Sequence, residues 1–111
     1  MAVVYKIVPE ELWRESEARG RFSGSAVDTR DGFIHLSTAA QVHETASRHF
    51  AGATELLLVA VAADALDLRW EPSRGGDLFP HLYGDLPLSA VRWVAPLPLD
   101  STGRHVIPQL E

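Results

Sequence analysis

The chain opens on an apolar, β-branched run, Val3 to Val8, which predicts a first strand. Pro9, Glu10 and Glu11 then start a helix, because proline suits the first turn and carboxylates favour the positive end of the helix dipole. That helix carries Leu12, Trp13 and Ser16 and stops near Gly20. Arg21 to Arg30, with its Ser-Gly-Ser, reads as a loop able to fold over something, ending at the turn dipeptide Asp31-Gly32. Phe33 to Leu36 predicts the next strand. Thr38 and Gln41 have the spacing of a capping box, with Ser37 competing for the cap, and Val42, Ala46 and Phe50 share one face of the helix behind it. Leu56 to Ala63 is continuously apolar and reads as a central strand buried on both faces. Leu66, Leu68 and Trp70 alternate with Asp67, Arg69 and Glu71, the pattern of a half-buried strand. Val91, Trp93 and Ala95 form a last alternating strand, which Pro96 and Pro98 end or place at a sheet edge. Trp13, Trp70 and Trp93 are expected mostly in the core.

These elements predict an α+β fold: a single domain over residues 1–111, with two helices on a bent or two-layered, mostly antiparallel sheet. The core spans about residues 3–99, and the proline- and glycine-punctuated tail, 100–111, is expected to pack loosely. With 46% hydrophobic and 23% charged residues the composition is that of a folding domain. The net charge of -5 argues against non-specific binding to nucleic acid or to anionic membrane, which rests on clustered cations. The absence of cysteine excludes disulfides, thiol catalysis and cysteine-based zinc sites. No export signal or membrane-spanning run is visible, so the expected location is cytoplasmic. Neither a cofactor nor an oligomeric state follows from the sequence.

Candidate chemistry lies in two segments, Asp31-Gly-Phe-Ile-His-Leu-Ser37 and Phe79-Pro-His-Leu-Tyr-Gly84. With a strand's period of two, Phe33, His35 and Ser37 share a face, as do Phe79, His81 and Tyr83. Two strands each offering an aromatic, an imidazole and a hydroxyl can build a small polar cleft with apolar walls, the shape of a small-molecule site. Trp13 is a candidate wall residue, and Arg74, followed by Gly75-Gly76, a candidate anion contact. Each has a plainer reading: histidines pinning backbone, Glu71 in a surface ion pair beside Arg69 and Arg74, Ser37 as a helix cap. No metal is expected, since His43 and His49 are six apart on one helix and diverge.

The framework Tyr5-Lys-Ile, Trp13, Gly24-Ser25, Asp31-Gly-Phe-Ile-His-Leu-Ser-Thr38, Leu57–Val61, Trp70-Glu71 and Phe79-Pro-His-Leu-Tyr-Gly84 resembles the bacterial family catalogued as domain of unknown function 952, over about Val3 to Leu99. That family's fold resembles the ADP-ribosyltransferases and the RNA 2'-phosphotransferases, which bind a dinucleotide or ADP-ribose moiety between two sheets. The resemblance implies a histidine on the first strand, where this chain has Lys6, which donates but does not accept when protonated. It places His35 at the middle-strand position and makes Glu71 the late carboxylate. RNA 2'-phosphotransfer, which calls for converging arginines in a basic groove, is disfavoured in this acidic chain.

Three readings stay open. The first is a transferase-like enzyme using His35, His81 and Glu71 as catalytic groups. The second is a binding module for a nucleotide-like or phosphorylated small molecule, held by Lys6, Trp13, Phe33, Ser37, Arg74 and Tyr83. The third is a non-catalytic protein-interaction domain. Whether the chain is an enzyme is left undecided by the sequence.

Overall fold

The computed structural model describes residues 2–73 and 75–110. The longest apolar run becomes the centre of the fold. β4 (Leu56–Ala62) lies antiparallel between β1 (Val3–Pro9) and the edge strand β8 (Val91–Pro96). Because side chains alternate across a strand, β4 feeds two cores. Leu57, Val59 and Val61 join Val4, Val8, Trp13, Phe22 and Ile34 on one face. On the other, Leu56, Leu58 and Ala60 join Tyr5, Ile7, Val42 and Leu97. A run buried on both faces has no polar alternation, which is why the sequence shows none.

The remaining strands form two further antiparallel sheets. β3 (Ile34–His35), β6 (Asp77–Leu82) and β5 (Leu68–Ser73) make a three-stranded sheet in that order, and β2 (Arg21–Phe22) pairs with β7 (Leu86–Pro87). The chain after β3 stitches the two larger sheets together. Leu36 N donates to Pro80 O (3.1 Å), and one residue later Ser37 exchanges backbone hydrogen bonds with Tyr5 at 2.8 and 2.9 Å. His35 is thereby held at the seam, between β6 and β1.

Among the described residues the α-helices are α1 (Glu10–Arg19), α2 (Ala26–Asp31) and α3 (Val42–His49), one more than expected. α1 starts after Pro9 and ends where Gly20, at φ 84°, donates its N–H to Ser16 O at 2.9 Å. α2 lies inside the stretch read as a loop. It is capped by a Ser25–Asp28 box and ended by Gly32 in the left-handed region, so its short span is set by its two ends. α3 begins later than Thr38. One arm of the anticipated box is present, Thr38 N donating to Gln41 Oε1 at 3.1 Å, but residues 39–41 form a turn before the helix. Ser37 is not its cap; the Ser37 hydroxyl pairs with Thr45 Oγ1 at 2.9 Å.

Two further expectations change. Trp70 is 48% exposed, outside the core, because the β5–β6 hairpin runs past the apolar layer and leaves Trp70 and Leu78 beyond it. The tail is fastened where it was expected to be loose: Val106 N donates to Pro98 O (2.7 Å), the His105 ring to Ala53 O (2.8 Å), and Ile107 and Leu110 pack on the second core. The Cα radius of gyration, 13.1 Å, is that of one compact domain of this length. Among the described residues no helix is long and apolar enough to cross a membrane.

Candidate functional site

Lys6 occupies a position that alternation assigns to the core. It shares the β1 face of Val4 and Val8 and lies opposite Val59, yet it carries an ammonium group and is 6% exposed. Burying such a charge costs several kcal/mol unless a counter-charge and hydrogen bonds meet it. Asp28, from α2, supplies both. Lys6 Nζ lies 2.8 Å from Asp28 Oδ2, donates to Asp28 Oδ1 (3.0 Å), and gives a further hydrogen bond to His35 O (3.1 Å).

Asp28 in turn gathers the surrounding backbone. Its Oδ2 accepts from Ser25 N (2.8 Å), and its Oδ1 from His35 N (3.0 Å) and His35 Nδ1 (2.6 Å). Burial pushes this carboxyl up, but the His35 hydrogen bond, the Lys6 charge and the Lys6 and Ser25 hydrogen bonds outweigh it and hold it well below the usual carboxylate range. Burial likewise lowers the Lys6 ammonium from its ordinary value, with Asp28 opposing that drop. Gly24 makes the close approach possible: at φ 110°, a side chain there would bring its Cβ to 2.9 Å from Asp28 Cβ.

The chain of charges continues outward. His35 Nε2 lies 2.9 Å from Asp31 Oδ2, and Asp31 Oδ1 accepts from Arg30 Nε at 3.0 Å. The Arg30 hydrogen bond holds the Asp31 carboxyl below its ordinary value. His35 thus has a carboxylate oxygen beside each of its ring nitrogens. Lys6, Asp28, His35, Asp31 and Arg30 form one continuous polar relay from the core to the surface.

The relay borders a cavity of about 740 Å³, within the range of small-molecule sites. Lys6, Asp28, Asp31 and His35 give it a polar side, while Tyr5, Ile7, Leu12, Val27 and Phe50 give it an apolar one. Ser37 and Thr45 also line it, with their hydroxyls paired to each other. A smaller cavity of about 160 Å³, bounded by Ser23, Phe33 and Asp85, also touches Asp28.

The second histidine segment stands directly beside the first, since His35 and His81 are register partners across β3 and β6. Of the two anticipated faces, Phe33, His35, His81 and Tyr83 come together, while the Ser37 hydroxyl turns to Thr45. The Phe33 ring stacks on His81 at 4.0 Å between centroids, lies 4.5 Å from the His35 ring and 5.3 Å from Tyr83. Glu71 binds two members of this group through one oxygen: His81 Nδ1 and Tyr83 OH each donate to Oε1 at 2.8 Å. Those two bonds, His81's first, hold the Glu71 carboxyl below its ordinary value, and Glu71 raises the Tyr83 phenol.

The sequence-derived candidates therefore separate. Lys6, His35 and Ser37 meet at the cavity, and Phe33, His81, Glu71 and Tyr83 form an adjoining cluster. Trp13 belongs to neither; it is 1% exposed and packs on Phe22 with ring centroids 5.8 Å apart. Arg74 lies outside the described residues. Sequence reasoning missed Asp28, the centre of the relay, although Ser25-Ala-Val-Asp28 has capping-box spacing that would have placed it on a helix.

The fold and site define a small α+β domain with a polar relay bordering a cleft, and the comparisons with known proteins agree on its relatives. The chain belongs to the family described as Protein of unknown function (DUF952), whose model matches residues 7–94. It is similar to the X-ray crystal structure of protein CC0527 from Caulobacter crescentus, at 50% identity and a TM-score of 0.89, covering 94% of this chain and 93% of that one. The solution NMR structure of CC0527 from the same organism gives 51% identity and a TM-score of 0.84, covering 94% of this chain and 91% of that one. No curated protein matches the chain.

Proposed function

We propose that this domain binds a nucleotide-like or phosphorylated small molecule in the cavity beside His35 and holds it without transferring a group. The observation that carries this reading is the cavity of about 740 Å³, whose walls set the Lys6–Asp28–His35–Asp31 relay against an apolar side. A ligand with a flat apolar part and a polar or anionic part matches such a lining, with Arg30 also on the wall as a cationic contact and His49 as a polar one. The family's resemblance to the ADP-ribosyltransferase fold favours a nucleotide-like ligand. Binding is favoured over transfer because Glu71, the carboxylate a transferase would need in the cleft, is engaged by His81 and Tyr83.

The test is a thermal-shift panel of dinucleotides, ADP-ribose, mononucleotides and sugar phosphates on the wild type and on His35→Ala. A ligand at a hundred times its dissociation constant adds about 2.7 kcal/mol, a rise of ten degrees or more for a domain of this size. The expected result is such a rise in the wild type, lost in the variant relative to its own melting point. No rise with any phosphorylated compound refutes the reading.

A further inference from the structure

Lys6 is the only lysine in the chain; the other nine permanent cations are arginines. Surface positive charge is thus left to arginine, and the single side-chain amine is buried at the edge of the cavity. As a mere counter-ion to Asp28 an arginine would serve at least as well, with a planar fork matched to a carboxylate and a charge it does not give up. What lysine adds is a nitrogen able to lose its proton and attack an electrophile.

We propose that Lys6 Nζ captures the carbonyl carbon of a small phosphorylated aldehyde or ketone, bound in the cavity, as a protonated imine. The proposal rests on the ligand-binding reading of the same cavity and narrows its ligand to a carbonyl compound such as an open-chain sugar phosphate. Asp28 Oδ2, 2.8 Å from Nζ, takes one ammonium proton in passage. The amine lone pair forms the C–N bond, the carbonyl π pair moves to oxygen, and a second N–H proton follows it, giving a carbinolamine. Asp28 returns its proton to the new hydroxyl, the C–O bond breaks, water leaves, and the nitrogen lone pair closes the C=N bond. Nitrogen keeps one hydrogen and the positive charge, so no oxidant, reductant or net proton is needed. Asp28 faces a cation before and after, and its bonds to Ser25 and His35 are undisturbed. Burial lowers the ammonium from its ordinary value against the opposing pull of Asp28, and so favours the neutral nucleophile.

The experiment treats the full chain with D-glyceraldehyde 3-phosphate and sodium cyanoborohydride, which reduces an imine to a stable amine, and maps adducts by peptide mass spectrometry. The α-amine of the chain serves as the internal reference. The expected result is an adduct at Lys6 that forms at least about tenfold faster in the folded chain than in the guanidinium-unfolded chain, a small part of what orientation can supply. Lys6→Arg is expected to lose it. Slower labelling of Lys6 in the folded chain than in the unfolded one overturns the proposal, and that comparison needs no variant. Glycerol 3-phosphate, which lacks the carbonyl, separates the two claims. If it raises the melting temperature while the aldehyde leaves Lys6 unmarked, the imine falls and the binding site stands; if neither acts, both fall.

Discussion

Asp28 and Glu71 each accept a hydrogen bond from the Nδ1 of a histidine, at 2.6 and 2.8 Å, and the two histidines are neighbours across β3 and β6. Burial falls on opposite partners. In the first pair the carboxylate side chain is 0% exposed and the imidazole 26%. In the second the imidazole is 5% exposed and the carboxylate 38%. A carboxylate out of reach of water must keep its charge satisfied by the protein, so Asp28 draws in Lys6 and the amides of Ser25 and His35 and becomes the knot between α2, β1 and β3. Glu71 keeps part of its side chain open to solvent beside His81 and Tyr83, and little else depends on it. The first pair couples fold to cavity; the second braces the aromatic cluster around Phe33.

The variant expected to separate the pairs most is Asp28→Asn. It leaves the Lys6 charge buried without its counter-ion and is expected to cost about 3–5 kcal/mol in a denaturant melt. A cost under about 1 kcal/mol would make Asp28 no more than an ordinary surface partner. The acid limb of stability is the next lever. Because the folded Asp28 carboxyl is depressed, its contribution is complete above the ordinary carboxylate value and drains as pH falls through the folded one. The wild type is therefore expected to lose stability more steeply than Asp28→Asn between about pH 5 and pH 2 in pH-dependent melts. Parallel limbs would assign the acid sensitivity elsewhere.

A smaller effect is expected where the two pairs touch. Phe33→Leu removes the ring stacked on His81, a contact of about 0.5–1.5 kcal/mol, and should shift the ring resonances of both His35 and His81. Movement of only one set would show that the pairs are independent. Glu71→Gln is expected to move the melting point least of all, less than Phe33→Leu, and to alter His81 and Tyr83 signals while leaving those of His35 in place. A loss as large as that of Asp28→Asn would erase the distinction.

Much of this architecture is written in local patterns. The two-sided burial of β4, the Gly20 stop of α1 and the edge position of β8 follow from runs and punctuation visible in Leu56–Ala63, Gly20 and Pro96. The pairing of Phe33 with His35, and of His81 with Tyr83, follows from a period of two, while the β3–β6 register joins them. What was hidden depends on distance along the chain. Trp70 has the alternation of a buried residue, but whether a core lies beneath it is decided by how far the hairpin extends. Asp28 looks like a loop aspartate until Lys6, twenty-two positions earlier, is known to point at it. Lys6 itself interrupts an apolar strand, a polar residue at a core position, and such local inconsistencies mark places where something other than packing sets the residue.

The central claim is that the cavity beside the Asp28-centred relay is the binding site. Amide shift mapping on the ¹⁵N-labelled chain, titrated with ADP-ribose and separately with ribose 5-phosphate, tests it directly. The account predicts that at least one of them moves the amides of Lys6, Ala26 to Asp31, His35 and Thr45 to Phe50. Shifts confined to Glu71, His81 and Tyr83, or no shifts with either compound, would contradict it.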